Sequence, residues 1–215
     1  MAGRPREFDR DAALRRARDL FWERGYEGVS MSDLVQALGI ASARIYAAFG
    51  SKENLFREAV ELYEQEEGGC ADRAFAEEPT AIAAIERIFR EGIELYTRKG
   101  GPRGCMVVSA ATNCASENGR IRAWLEEHRR HRTASIIKRL KKAVQEGELS
   151  NDIDPQQTGD LCAALLHGIS VQARDGVSRE RLLSIIPSVT LVLRPQGSRA
   201  EMRKPPRPRP APVTS

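Results

Sequence analysis

Apolar residues recur every three or four positions along most of the chain, whereas the alternation typical of β-strands is missing. One such stripe predicts a helix over residues 9–24, which Gly25 ends. The pattern as a whole predicts an all-α fold. The apolar members of this first stripe are Ala13, Leu14, Ala17, Leu20 and Phe21. The arginines of the same segment are expected to be mostly solvated, and these are Arg10, Arg15, Arg16 and Arg18.

The same spacing predicts further helices in the remainder of the chain. An acidic run that ends in Gly68 and Gly69 interrupts the pattern, which resumes with a Thr80 cap after Pro79. The nearly uncharged segment from residue 105 is expected to be buried, and the charged HRRHR run at residues 128–132 is expected to be a solvated face. The predicted helices cover residues 51–67, 80–99, 105–116, 120–145, 155–175 and 178–193.

Residues 30–55 predict two short helices joined by a tight turn and followed by a third helix. Ser30 caps the first helix, and Asp33 lies three residues on, as in a capping box. Gly39 ends that helix because glycine readily adopts the positive φ needed there. The second helix runs from residue 41 or 42 to about residue 49, before Gly50. This is the helix-turn-helix layout, whose second helix enters the DNA major groove.

From Phe8 to about Tyr63, the segment resembles the DNA-binding domain of the TetR family of transcriptional regulators. Many positions agree at fixed spacing, so the resemblance is more specific than a lone helix-turn-helix pattern. Ala41 stands where the family usually has Ser or Thr, which puts one helix cap and one phosphate contact in doubt, and Ala48 stands where His is common. The matching residues are Ala17, Phe21, Gly25, Tyr26, Ser30, Gly39, Tyr46, Phe49, Lys52, Glu53 and Leu55.

The resemblance implies which side chains contact DNA. Arginine can pair with guanine in the major groove, whereas hydroxyls and lysine contact the backbone without reading sequence. Core packing is the alternative for Tyr46 and Phe49, and we favour it for Phe49 only. The residues implied at base edges are Ser42, Ala43, Arg44 and Ala47, and those implied near phosphates are Ser30, Tyr46 and Lys52.

The resemblance also implies a domain organisation. An arm of residues 1–7, in which Arg4 and Arg6 either enter the minor groove or stay solvated, precedes the helix-turn-helix domain of residues 8–50. Residues 51–193 would form a helical ligand-binding and dimerisation domain, and the basic, Pro-rich residues 194–215 are expected to be disordered. In the family, the last two helices of each subunit form the dimer interface. Residues 155–175 and 178–193 are therefore expected to pair in a homodimer, with the core of one subunit as the alternative.

A regulator of this kind is expected to bind an unidentified small hydrophobic ligand in its C-terminal domain. Cys105 is a separate candidate, since Arg103 and a helix N-terminus beside it would stabilise a thiolate. It is either a sensor of oxidants or electrophiles or a buried structural thiol. The candidate ligand residues, each with core packing as the alternative, are Phe89, Ile93, Tyr96, Met106, Ser109, Asn113, Trp124, Cys162, Leu166 and His167.

Composition adds little to this picture. The 215 residues have a formal charge of +4, but residues 194–215 contain six basic side chains and one acidic, so charge alone hardly supports DNA binding. The four cysteines form no CxxC pair, and no catalytic or phosphate-binding motif appears, so neither a metal nor a cofactor is expected. No apolar run reaches the roughly 18 residues of a membrane helix, and no signal peptide is recognised, so a cytoplasmic location is expected.

The sequence therefore predicts a homodimeric, ligand-responsive regulator, most simply a repressor, that binds a double-stranded DNA operator. Two other classes stay open. One is a helical enzyme that retains an unused DNA-binding head, against which the missing catalytic set counts. The other is an architectural DNA-binding protein without a ligand, which the absence of a closed cavity would support.

Overall fold

The computed structural model describes residues 8–112 and 118–194, and all regular secondary structure within these residues is helical. The predicted all-α fold is thereby confirmed. The first four helices are α1 Arg10–Arg24, α2 Met31–Leu38, α3 Ser42–Phe49 and α4 Lys52–Glu66. The others are α5 Cys70–Glu77, α6 Ala81–Tyr96, α7 Met106–Thr112, α8 Gly119–Gln145, α9 Pro155–Arg174, α10 Arg179–Leu183 and α11 Ile186–Leu191. Among these described helices, none combines the length and apolar character that crossing a bilayer requires.

The residues predicted as helix caps take up those positions. Ser30 Oγ accepts a hydrogen bond from Asp33 N, and the Asp33 carboxylate accepts one from Ser30 N, which completes a capping box. Ser51 and Thr80 cap α4 and α6 through backbone N–H groups three residues on. Gly39 ends α2 with a left-handed φ of +70°. Each cap of this kind contributes about 1 kcal/mol, so local sequence sets where these helices begin and end.

The buried apolar side chains form two neighbouring clusters. One joins α1–α4 to α7 and the beginning of α8, and its centre is aromatic: the rings of Phe21 and Phe56 lie 5.2 Å apart, edge to face. The other joins α5, α6 and the second half of α8 to α9–α11. Leu95 and Cys105 pack against both clusters. The N-terminal helices α1–α4 and the C-terminal helices are therefore packed against each other as well as joined by the chain.

One helix lies where the sequence does not predict one. The pattern was expected to resume only at Thr80, but α5 begins directly after Gly69. Cys70, Ala71 and Ala74 form its buried face and pack in the C-terminal cluster with α6. The helix has only eight residues and directly follows two glycines, so the interruption at Gly68 and Gly69 conceals it.

The segment predicted as a single last helix is divided in two. Residues 178–193 form α10 and α11, with Pro187 in the first turn of α11. Proline has no backbone N–H and clashes with the preceding turn, so the helix breaks just before it. α6 ends at Tyr96 rather than near residue 99, and α7 begins at Met106.

Arg18 is an exception to the expectation that the arginines of α1 are mostly solvated. It is only 7% exposed, and its Nη1 lies 2.6 Å from Glu66 Oε2 of α4. Asp19 and Glu67 also lie within ion-pair distance of its guanidinium. Three carboxylates thus offset the cost of burying this charge. The other arginines of this set, Arg10, Arg15 and Arg16, are exposed as predicted.

Candidate functional site

Buried side chains fix α2 and α3 against the other N-terminal helices. Leu34 and Leu38 of α2 pack in the same cluster as Ile45 and Phe49 of α3. The N-cap position of α3 makes no side-chain hydrogen bond because Ala41 occupies it, as the sequence predicts. The two short helices are therefore held mainly by packing on their inner faces.

The opposite face of α3 is open to solvent. Tyr46 is 49% exposed, whereas Phe49 is 4% exposed and belongs to the core, in line with the interpretation favoured for each ring. The predicted DNA-contact residues of this helix share the open face, and these are Ser42, Ala43, Arg44, Tyr46 and Ala47. The structure thus brings five of the predicted residues onto one surface.

Ser30 and Lys52, also predicted near phosphates, already make contacts within the protein. The Ser30 hydroxyl takes part in the capping box of α2. Lys52 Nζ lies 4.3 Å from the centroid of the Tyr26 ring, and partial burial lowers the pKa of this lysine. Arg4 and Arg6 of the predicted arm lie outside the described residues.

A small cavity, here called the central cavity, lies between α4, α6, α7, α8 and α9. Its volume is about 60 Å³. Drug-sized ligands occupy pockets of roughly 300–1,000 Å³, so side chains would have to move to admit such a ligand. Polar groups reach its wall from several helices, among them Tyr63, Tyr96, Cys105, Arg129 and Arg132.

The predicted ligand residues divide between the central cavity and the surrounding protein. Tyr96, Leu166 and His167 line the cavity, as does Cys105. Trp124 instead lines a groove on the outside of α8. Asn113 lies outside the described residues. The other candidates are buried without lining the cavity, and these are Phe89, Ile93, Met106, Ser109 and Cys162.

The charged run at residues 128–132 is only in part the solvated face that the sequence predicts, since Arg130 and His131 alone are exposed. Three of its residues line the central cavity, namely His128, Arg129 and Arg132. The two arginines share helical phase with the buried Leu125, so they lie on the inward side of α8. The helical spacing of α8 therefore indicated that Arg129 and Arg132 face inward, but a hydrophobic pattern does not recognise an inward face made of charged residues.

Comparison with known proteins decides the family. Residues 13–59 match the bacterial regulatory proteins of the tetR family, and residues 81–183 match the tetracyclin repressor-like C-terminal domain. The chain belongs to the TetR family of transcriptional regulators. The resemblance drawn from the helix-turn-helix residues is thereby confirmed, and so is the TetR fold with its amino-terminal DNA-binding domain.

Relatives of this TetR-family regulator are themselves transcriptional regulators. The HTH-type transcriptional repressor ComR of Escherichia coli (strain K12) is 32% identical over 195 residues, which cover 90% of this chain and 92% of ComR. The repressor BdcR of the same strain is 28% identical over 84% of this chain and 86% of BdcR. A cysteine mutant of the TetR family regulator CifR, solved with 26-bp double-strand operator DNA, is 39% identical, with a TM-score of 0.82 over 87% of this chain and 98% of that chain.

In this TetR-family regulator, the central cavity and the DNA-binding domain meet at a short segment between α6 and α7. Trp22 of α1 donates a buried hydrogen bond from Nε1 to the carbonyl oxygen of Gly104 at 2.9 Å. The next residue, Cys105, lines the cavity, and its backbone N donates to Ser170 Oγ of α9 at 2.8 Å. Tyr63 packs on Trp22 and donates its hydroxyl to Cys105 Sγ at 3.5 Å. The cavity wall at Cys105 is therefore one residue away from the hydrogen bond to α1.

Arg174, the last residue of α9, holds the end of α1 from another direction. Its Nη1 donates to the carbonyl oxygens of Trp22 and Arg103, both at 3.3 Å, and its Nη2 donates to that of Glu23 at 3.0 Å. The last carbonyls of a helix have no partner within the helix, and a cation there also interacts favourably with the helix dipole. Both α7 and α9 are thus in direct contact with the DNA-binding domain near the same turn of α1.

We predict that Gly104→Ala weakens this junction. Gly104 has a φ of +76°, and an added Cβ would lie 2.8 Å from both Arg174 Cγ and the Ser170 carbonyl oxygen. The left-handed backbone costs about 1–2 kcal/mol for a residue other than glycine. The overlap adds about 1–3 kcal/mol. Urea unfolding should therefore show a lower stability, and fluorescence anisotropy should show weaker operator binding.

Gly100→Ala is the matched control for this variant. Gly100 has the same φ of +76°, but nothing lies within 4 Å of an added Cβ. Only the backbone cost of about 1–2 kcal/mol is expected there. If the two variants lost the same stability, the space around Gly104 would not be limiting, and the predicted overlap would be wrong.

Proposed function

We propose that this regulator is a homodimeric repressor whose operator affinity falls when a small molecule occupies the central cavity. The observation that carries the proposal is the adjacency of Gly104 and Cys105, since the first bonds to α1 of the DNA-binding domain and the second lines the cavity. ComR is a transcriptional repressor, and CifR has been solved with operator DNA, which supports the same role here.

In this proposal α3 lies in the DNA major groove. Its open face would place Arg44 against base edges, together with Ser42, Ala43 and Ala47. Tyr46 is exposed on the same helix and is suited to a phosphate contact, and Ser30 and Lys52 would lie near the backbone. The exposure of all five α3 residues supports this arrangement.

An apolar stripe on α9 supports the homodimer. Leu161 and Val171 are large apolar side chains that stay exposed, at 42% and 44%. Ala164, Leu165 and Gly168 continue the stripe between them at helical spacing. Nothing lies within 4 Å of a Cβ added at Gly168, so the helix surface there is open to close approach. A continuous apolar stripe is typical of an interface, and we propose that α9, with α10 and α11, pairs with a second copy of the chain.

Release of the regulator from its operator by a ligand follows from the coupling between the central cavity and the DNA-binding domains of the two subunits. A dimer whose two heads are separated by roughly 34 Å can contact successive major grooves. A ligand that prefers a conformation with another head separation lowers operator affinity by the ratio of its affinities for the two conformations. Because the cavity is only about 60 Å³, a ligand has to displace part of the wall. Cys105 belongs to that wall, so binding would act on α1 through Gly104.

The presence of a cavity between the C-terminal helices counts against the architectural alternative. A protein that only bends or coats DNA needs no cavity between its C-terminal helices. We propose no catalytic role, in keeping with the transcriptional regulators among its relatives.

Operator binding tests the proposed function directly. Fluorescence anisotropy would compare the DNA upstream of the regulator's own gene with a scrambled duplex of equal length at two salt concentrations. Arg44→Ala is expected to lose about 1–3 kcal/mol of discrimination between the duplexes while keeping most of its phosphate-driven binding. Arg90→Ala, an exposed position on α6, removes the same charge outside the DNA-binding domain and should keep the discrimination.

Two results would count against this assignment. Equal weakening by Arg44→Ala on every duplex would make Arg44 a phosphate contact rather than a base reader. Equal and strongly salt-dependent binding of the wild type to both duplexes would contradict operator recognition at that DNA and favour the architectural role.

The dimer interface has its own test. Val171→Lys and Leu161→Lys place a charge in the apolar stripe, so analytical ultracentrifugation should show monomers at concentrations where the wild type is dimeric. Operator affinity should fall with dimerisation. Ala123→Lys, an exposed position on α8, introduces the same side chain outside the stripe and should leave the dimer intact. A fully dimeric Val171→Lys protein would exclude this stripe as the interface.

A second candidate function is sensing of electrophiles through Cys105. The specific observation in its favour is that Cys105 Sγ lies in the cavity wall, where it accepts a hydrogen bond from the Tyr63 hydroxyl, and directly precedes α7. Arg103 contributes less than the sequence suggests, because its Nη2 donates to the Val177 carbonyl oxygen at 3.4 Å. In this second candidate function, a covalent adduct on Cys105 takes the place of a reversibly bound ligand.

N-ethylmaleimide tests the second candidate. The Cys105 thiol would add across the double bond of the reagent, and no leaving group is needed. We expect the reagent to release the wild type from its operator and to have no such effect on Cys105→Ser. Cys162→Ala is the control, because Cys162 is buried and burial raises its pKa to about 11, so its thiol should be unreactive. Release of Cys105→Ser by the reagent would exclude Cys105 as the sensor.

A further inference from the structure

We propose that the central cavity binds a small, otherwise apolar molecule through a carboxylate group held by Arg129 and Arg132. The inference rests on the proposed function, because it names the ligand class for the same cavity. It replaces the purely hydrophobic ligand expected from the sequence with an amphipathic acid. Both arginines belong to α8, lie one helical turn apart and line the cavity from the same wall.

Arg129 has a charge that the described part of the protein leaves uncompensated. Its Nη1 is buried without a hydrogen-bond partner among the described residues. The neighbouring carboxylate of Glu126 forms its ion pair with Arg130 instead, at 3.0 Å. Burial lowers the pKa of Arg129, and Glu126 and Cys105 oppose that shift only in part. A buried N–H without an acceptor is costly, so this group is suited to an acceptor that a ligand brings.

The guanidinium group of Arg132 makes one hydrogen bond and one longer ion pair within the protein. Its Nη1 donates to the Gly68 carbonyl oxygen at 2.9 Å, whereas its Nη2 lies 3.8 Å from Glu64 Oε1. The other carboxylate oxygen of Glu64 lies 2.9 Å from His128 Nδ1. Among the described residues that line the cavity, Glu64 has the only carboxylate. Two guanidinium groups therefore face a single carboxylate that is already shared.

The other titratable side chains of the wall do not supply negative charge. Burial, followed by the charge of Arg129, lowers the pKa of His167, so its ring is neutral near pH 7. Burial also raises the pKa of Tyr63 and that of Tyr96 well above the usual value, so both hydroxyls stay protonated. Apart from the shared carboxylate of Glu64, these polar groups of the wall offer hydrogen-bond donors and two cations, which together favour an anionic acceptor.

The shape of the donors and the rest of the wall favour a carboxylate on a short apolar body. A guanidinium fork pairs with both oxygens of a carboxylate through parallel N–H···O bonds. Since the cavity volume is about 60 Å³, any ligand has to displace part of the wall, and a small acid displaces the least. Away from the arginines, the wall is formed by the apolar side chains of Ile88, Leu95, Val107, Val108, Ile136 and Leu166.

Isothermal titration calorimetry with matched acids and amides tests the assignment on the full-length protein. The probes are benzoate and octanoate, each compared with its primary amide, which has nearly the same shape and no charge. The wild type is expected to bind at least one acid about tenfold or more tightly than its amide, as the strength of charge-assisted hydrogen bonds implies. Arg129→Gln should abolish that preference, and Arg129→Lys, which keeps the charge without the fork, should restore part of it.

Arg122→Gln is the matched control on the same helix. Arg122 is exposed and does not line the central cavity, so this variant should keep the preference for the acid. Thermal unfolding without ligand gives a second readout. Since Arg129→Gln removes an uncompensated charge, its Tm should equal or exceed that of the wild type. Arg132→Gln, which loses the hydrogen bond to Gly68, should have a lower Tm.

Three results would overturn the proposal. These are equal affinity of the wild type for acid and amide, no binding of either acid at millimolar concentration, and a preference that survives Arg129→Gln. A substantial drop in the Tm of Arg129→Gln would likewise show that the guanidinium is already stabilised within the protein. In each case operator binding by the ligand-free protein would still stand, so the repressor function would survive. Failure to bind an operator would instead reject the proposed function and leave the acid preference measurable.

Discussion

A buried hydrogen bond from Trp22 Nε1 to the carbonyl oxygen of Gly104 holds the DNA-binding helices against the C-terminal helices. Leaving either group unpaired in the interior would cost about 1–3 kcal/mol, so α1 cannot turn away from this segment freely. The Trp22 ring is fixed on both sides, by Tyr63 at 4.6 Å and by the Arg98 guanidinium at 4.5 Å. Since Tyr63 also lines the central cavity, the same aromatic ring borders both the DNA-binding domain and the space proposed for the ligand.

Arg18 and Arg129 both have buried guanidinium nitrogen atoms, but in different environments. Arg18, at the junction of α1 and α4, is surrounded by three carboxylates and is suited to hold two helices in one arrangement. Arg129, in the cavity wall, has a buried Nη1 that lacks an acceptor among the described residues. The first environment stabilises the protein as it stands. The second becomes favourable only when a complementary group arrives, which is the property expected of a ligand site.

The features that sequence predicts well here are the local ones. The capping box at Ser30 and Asp33 and the turn at Gly39 depend on residues within a few positions of each other, and the structure confirms them. The start of α5 is concealed by the glycine pair before it, and the charged inward face of α8 is a pattern that hydrophobicity alone does not recognise. Trp22 and Gly104 are 82 positions apart, and Arg174 contacts Trp22 across 152 positions. Such pairs arise from the packing of whole helices, so no local pattern indicates them.

In the proposed dimer, coupling between the cavity and DNA is tested most directly by the distance between the two DNA-binding domains in Trp22→Phe. This variant keeps an aromatic ring against Tyr63 but removes the donor to Gly104. Double electron–electron resonance would measure the separation between spin labels on a non-canonical amino acid at position 15, an exposed site on α1. We expect a broader distance distribution than in the wild type, together with weaker operator binding by an intact dimer. An unchanged distribution with unchanged operator affinity would show that the Trp22–Gly104 hydrogen bond does not position the heads.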